Sequence, residues 1–175
     1  MIGKKIGGIV MKKKRVAVIF GGNSTEYDVS LESAYAVLTH MNREKYDIFP
    51  VGITRKGKWY HYSGDFENIR QDTWWKDEKH LALAIVSQDP SFGGFLVFYG
   101  EGGKKEPVDL AFPVLHGKNG EDGTVQGLFT LADIPVVGCD TLASALCMDK
   151  DRAHKLAHAA GVSVPKSVSF GRADR

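Results

Sequence analysis

Several large functional classes are excluded by what this sequence lacks. It has only two cysteines, Cys139 and Cys147, and they do not have the paired spacing of a zinc site. They read as plain thiols of a reducing compartment, which places the chain in the cytoplasm. No apolar run is long enough to span a membrane. The first ten residues are too short and too glycine-rich for a signal peptide, and Met11 reads as a second possible start. None of the four Gly-Lys pairs, beginning at 3, 57, 103 and 117, is followed by the Ser or Thr of a phosphate loop, and no complete G-x-G-x-x-G occurs. The chain does not read as a self-sufficient nucleotide binder. A basic surface is also missing. Six of the 23 basic residues lie in the first 15 positions, which hold no acid, so the remainder carries 17 basic against 21 acidic groups. That body is mildly acidic and offers nothing to nucleic acid or to a membrane surface. There is no internal repeat and no low-complexity tract.

What is present fits one domain of ordinary size, with 43% hydrophobic residues to build its core. The sequence is organised around residues 116–127 (HGKNGEDGTVQG). An apolar run, 108–115, leads in, and an amphipathic stretch, 125–132, leads out, giving strand, glycine-rich turn and helix. Asp122 stands where a helix N-cap belongs. His116 falls at the carboxyl end of its strand, the edge on which open α/β sheets bind ligands.

Earlier in the chain, residues 15–20 (RVAVIF) form a short β-branched run ending in Gly21-Gly22, a buried strand. The basic residues 12–15 read as a solvated tail before it. A polar loop, 23–28, precedes a helix over about 29–41, with Asp28 as its cap. Residues 46–53 complete a βαβ unit, and 59–62 pair back as a hairpin. In the less regular stretch 63–107, residues 81–86 and 95–99 read as strands and 100–103 as a turn. Trp59, Trp74 and Trp75 read as packing anchors. After a short strand at 135–137 come two capped helices, 141–148 and 149–160, and a polar tail over 167–175. The fold class is α/β: an open, mostly parallel sheet flanked by helices, with an inserted β-hairpin region. The expected division is a tail over 1–14, one domain over 15–140, and helices that begin a linker over 141–175.

Two glycine-bearing loops, 21–28 and 117–122, leave strands on the same sheet edge, so Glu26 and His116 can face one crevice. Glu26 can hold an ammonium group, and His116 can hydrogen-bond a carboxylate. Together they suit a small zwitterion such as an amino acid.

Residues 116–127 resemble the signature of the D-alanine–D-alanine ligase family, 20–30 (FGGNSTEYDVS) resemble its first loop, and 143–150 (ASALCMDK) resemble its third characteristic stretch. The three occur in the family's order, and the resemblance runs over residues 13–170. The runs 51–62 and 137–157 are most similar to VanG-type D-alanine–D-serine ligases. The resemblance implies a Rossmann-like pre-ATP-grasp domain of a three-domain enzyme that works with ATP and magnesium, or manganese. In such enzymes ATP phosphorylates the carboxylate of a first D-alanine, and the amine of a second D-amino acid attacks the acyl phosphate. It implies that Glu26 grips the first substrate's ammonium, that Val29 packs on its methyl and that Ser30 supports that loop at the substrate. It further implies that His116 lies near the reacting carboxylate and that Lys150 reaches toward the ATP phosphates. No metal ligand is assigned within this chain, and the family implies a homodimer. These 175 residues are expected to be an N-terminal piece, inactive alone. Two other readings stand beside this one: a free-standing small-ligand-binding α/β domain, and the first domain of a different ATP-grasp ligase.

Overall fold

A computed structural model describes residues 12–170. A seven-stranded sheet runs through the molecule: β1 (Lys14–Gly21), β2 (Tyr46–Ile53), β3 (Trp59–Tyr62), β4 (Leu81–Val86), β5 (Gly94–Tyr99), β6 (Gly102–Pro107) and β7 (Leu110–Pro113). Their spatial order is β6-β5-β4-β3-β2-β1-β7. The helices are α1 (Tyr27–His40), α2 (Glu67–Arg70), α3 (Thr124–Leu131), α4 (Thr141–Met148) and α5 (Lys150–Ala159).

β1 is the organising strand because both of its faces are buried. Successive side chains of a strand point to opposite faces. Val16, Val18 and Phe20 therefore join Tyr27, Leu31, Ala34 and Leu38 of α1 on one side. Ala17 and Ile19 join Val125, Phe129 and Ala132 at α3 on the other. Burial of this kind contributes roughly 1.5–3 kcal/mol for each large apolar side chain.

The α/β class with a hairpin insert is what the chain forms. The insert contributes so many strands that the sheet as a whole is mixed. β1 pairs in parallel with β2 and β7, while β2 through β6 pair antiparallel in succession.

Four local expectations are corrected. Helix α1 starts at Tyr27 with Glu26 in the cap position and no side-chain cap, so Asp28 sits in the first turn, where its carboxylate is bonded to Arg55. β7 is shorter than 108–115: Pro113 has no N–H to continue the ladder, and the chain beyond it turns away after a last bond from Val114 N–H to the Ile19 carbonyl (2.8 Å). Residues 135–137 make only a single parallel bridge, Ala111 to Val136. The basic run before the first strand is not a tail as far as Lys14 and Arg15 are concerned, since both lie in β1. Arg15 donates to the Glu106 carboxylate at 2.7 Å and stacks over the Phe49 ring. Lys12 and Lys13 precede the strand and are exposed, and residues 1–11 of the expected tail lie outside the described residues.

Candidate substrate site at the parallel edge

Because β1 and β7 run parallel and adjacent, their carboxyl ends open on one edge. The loop after β1 carries Glu26, and the chain after β7 carries His116. The two converge. A methyl group placed on Gly117 would lie 2.1 Å from Glu26 Oε2 and 2.9 Å from Ser24 Oγ, so the carboxylate rests directly against the residue that follows His116. Gly117 has φ +68°, a conformation that glycine adopts without the Cβ clash. Glycine thus suits this position twice, once for the turn and once for the close approach of the acid.

His116 is held from two sides. Its Nε2 is 3.1 Å from Ser33 Oγ, on α1, and its Nδ1 is 3.8 Å from Glu121 Oε1. The other Glu121 oxygen accepts from Gly117 N–H at 3.0 Å, closing the loop on itself. Ser33 was not foreseen. The available signal was its place one helical turn after Ser30, on the same face of α1.

Asp122 is not the N-cap; that position is Gly123, with φ +90°. Asp122 instead accepts from the N–H groups of Asn119 (2.8 Å) and Thr124 (3.0 Å). Burial alone would raise its pKa, but these donors outweigh burial and hold the carboxyl below its usual range. Gln126 completes the loop by donating to the Gly120 carbonyl at 2.8 Å.

The remaining candidates divide. Ser30 is fully buried; its hydroxyl accepts from Gly21 N–H at 2.8 Å and donates to the Val114 carbonyl. It joins the roots of both loops. Val29 is 52% exposed, so it is not core. Lys150 opens α5 and is exposed. Trp74 is an anchor as expected, fully buried with its ring edge-on to Phe20. Trp75 is 45% exposed. Trp59 packs near Phe129 and also lines a cavity of about 430 Å³ with Gly22, Ile53, Leu115, His116 and Lys118. That volume suits a small molecule.

His116 thus lines the cavity while the Glu26 carboxylate lies against the next residue, Gly117, a pairing that can meet a carboxylate and an ammonium; the N–H groups of Gly117, Asn119 and Thr124 are taken by the loop's own carboxylates. Among the described residues no three His, Cys, Asp or Glu side chains converge as a metal site would require. The donor set here does not fit magnesium, and Lys150 alone does not make a phosphate cradle. Nor is any helix among them long and apolar enough to cross a membrane.

Residues 15–139 match the family model described as the D-ala D-ala ligase N-terminus. The fold matches the crystal structure of the VanG D-Ala:D-Ser ligase from Enterococcus faecalis with a TM-score of 0.85 and 63% identity, covering 92% of this chain and 46% of that one. A D-alanine–D-alanine ligase of Thermoanaerobacter sp. (strain X514) is 46% identical over 159 residues, 90% of this chain and 43% of the relative. The vancomycin C-type resistance protein VanC1 of Enterococcus gallinarum is 43% identical over 159 residues, 91% of this chain and 44% of the relative. The chain thus spans less than half the length of the curated relatives it matches.

Proposed function

The chain belongs to the D-alanine–D-alanine ligase family, matching its N-terminal domain, and from that premise we propose that it supplies the first-substrate site of an ATP-dependent D-alanine–D-X ligase, X being D-alanine or D-serine. The product is the dipeptide built into peptidoglycan precursors. The similarity to the VanG enzyme favours D-serine as the second substrate.

One observation carries this reading: the Glu26 carboxylate lies against Gly117, the residue after His116, at the shared carboxyl edge of β1 and β7. In this reading Glu26 takes the ammonium of the first D-alanine, and His116, oriented by Ser33, hydrogen-bonds its carboxylate. Val29, exposed on the first turn of α1, borders the substrate methyl. Ser30 acts through the backbone it ties together. ATP supplies the phosphoryl group that activates the carboxylate, and the ligands for ATP and its magnesium or manganese come from residues outside those described, with Lys150 facing them from the domain boundary. The full-length enzyme works as a cytoplasmic homodimer, and this chain alone makes no dipeptide.

The test is Glu26→Gln in the full-length ligase. A hydrogen bond to a charged group contributes about 1.5–3 kcal/mol, so the KM for the first D-alanine should rise about 10- to 100-fold with a smaller change in kcat. An unchanged KM would remove Glu26 from the role. Dipeptide synthesis by the 175-residue chain would overturn the assignment of the remaining chemistry to other domains.

A further inference from the structure

We propose that Arg55, working through Tyr27 and Asp72, is a positioning residue for Glu26, and that the segment between β3 and β4 is the brace that holds the substrate acid in place. The proposal rests on the reading of Glu26 given above and extends it to residues that touch no substrate.

Tyr27 directly follows Glu26 and is almost wholly buried. Its hydroxyl donates to Asp72 Oδ1 at 2.9 Å and accepts from the Trp74 indole N–H at 3.1 Å. Both partners belong to the inserted segment, 45 and 47 residues away in sequence. The Arg55 guanidinium lies 4.0 Å over the Tyr27 ring. It also bonds the Asp28 carboxylate and, at 3.3 Å, Asp72 Oδ2. Arg55 therefore grips both residues that follow Glu26 and ties them to the insert. Asp72 has φ +53°, an uncommon conformation for a residue other than glycine, and in it the two carboxylate oxygens serve Tyr27 and Arg55 separately. Glu26 itself is tethered locally only through its backbone, its N–H donating to Ser24 Oγ at 3.1 Å and its carbonyl accepting from Ser30 N–H at 3.2 Å. The geometry of its carboxylate is set by the first turn of α1, and that turn is set by the brace.

A cation–π contact and two ion pairs on a half-exposed arginine are a modest source of global stability. They are a strong constraint on local geometry, and a small misplacement of a substrate-holding group is costly.

The experiment uses the full-length ligase with Arg55→Met, Arg55→Lys and Tyr27→Phe. Arg55→Met should raise the KM for the first D-alanine about 5- to 20-fold, with kcat and the KM for the second substrate within about two-fold. Arg55→Lys, which keeps the charge, should recover part of the loss. Tyr27→Phe preserves volume and removes the indole's acceptor, so it should raise the same KM and speed hydrogen exchange at Trp74 Nε1–H. A fall in melting temperature with both KM values unchanged would overturn the proposal and leave the network a stabilising one only. Glu26→Gln in the same assay separates the two levels. If that variant leaves the first KM unchanged, the substrate role of Glu26 fails, and the brace has nothing to position. If it raises KM while the Arg55 and Tyr27 variants do not, only the brace fails.

Discussion

The two halves of the sheet do different work. In the parallel half, β2-β1-β7, each strand delivers its following loop to the same edge, so residues as far apart as Glu26 and Gly117 meet. In the antiparallel half, β3 to β6, consecutive strands send their loops to opposite edges. No two neighbouring strands there can pool their loops, and that half holds core and brace. Strand polarity, more than sequence composition, decides where chemistry can assemble.

A pair of substitutions should break the molecule along this division. Phe95, fully buried in β5 against Phe49 and Phe129, belongs to the antiparallel half. Phe95→Ala should cost about 3–5 kcal/mol of stability, read from denaturant unfolding, with the first-substrate KM of the folded enzyme unchanged. Gly117→Ala is the converse. Its strain at φ +68° should cost only about 1–2 kcal/mol. The added methyl, however, falls on the tip of a flexible acid, so the carboxylate moves aside and the KM for the first D-alanine should rise at least ten-fold, an estimate from the loss of one charged contact. A Phe95→Ala enzyme with impaired substrate binding, or a Gly117→Ala enzyme with normal binding, would show that the halves are not separable.

The parallel half was also the more legible in sequence. Residues 16–20 are apolar without a break and stop at two glycines, so strand and turn announce themselves locally. The loop at 116–127 carries Gly117 and Gly123 where the backbone takes a positive φ. What escaped sequence reading depends on partners far along the chain. Arg15 looks like the end of a basic tail until Glu106, 91 residues on, is seen beside it. Asp28 has the chemistry and place of a cap, but Arg55 claims its carboxylate. Val29 has an apolar side chain that does not distinguish core from crevice, and its exposure had to be observed. The balance of parallel and antiparallel pairs was equally hidden, because 81–86 and 95–99 are apolar throughout and such runs say nothing about the direction of the neighbouring strand.

The smallest expected effect lies where the two halves join, at His61 of β3. Its ring stacks on Phe49 of β2 at 4.2 Å and 8°, its Nδ1 sits 3.0 Å from the Pro50 carbonyl, and Tyr99 meets it edge-on. Burial lowers the pKa of this imidazole; Pro50 and Glu106 act in the opposite sense, and Arg15 adds to the lowering. A base whose folded pKa lies below its unfolded value of about 6.5 contributes its full stability above that pH and loses it as pH falls toward the folded value. Unfolding free energies measured from pH 8 to pH 5 should therefore decline below about pH 6.5 more steeply for the wild type than for His61→Phe, a comparison that cancels the other histidines. The first-substrate KM should show no such difference between the two proteins, because the ring faces the join and not the crevice. Parallel stability curves would mean that His61 protonates as easily in the fold as outside it. A KM that followed the stability difference would tie the antiparallel half to the site by a route other than the Arg55 brace.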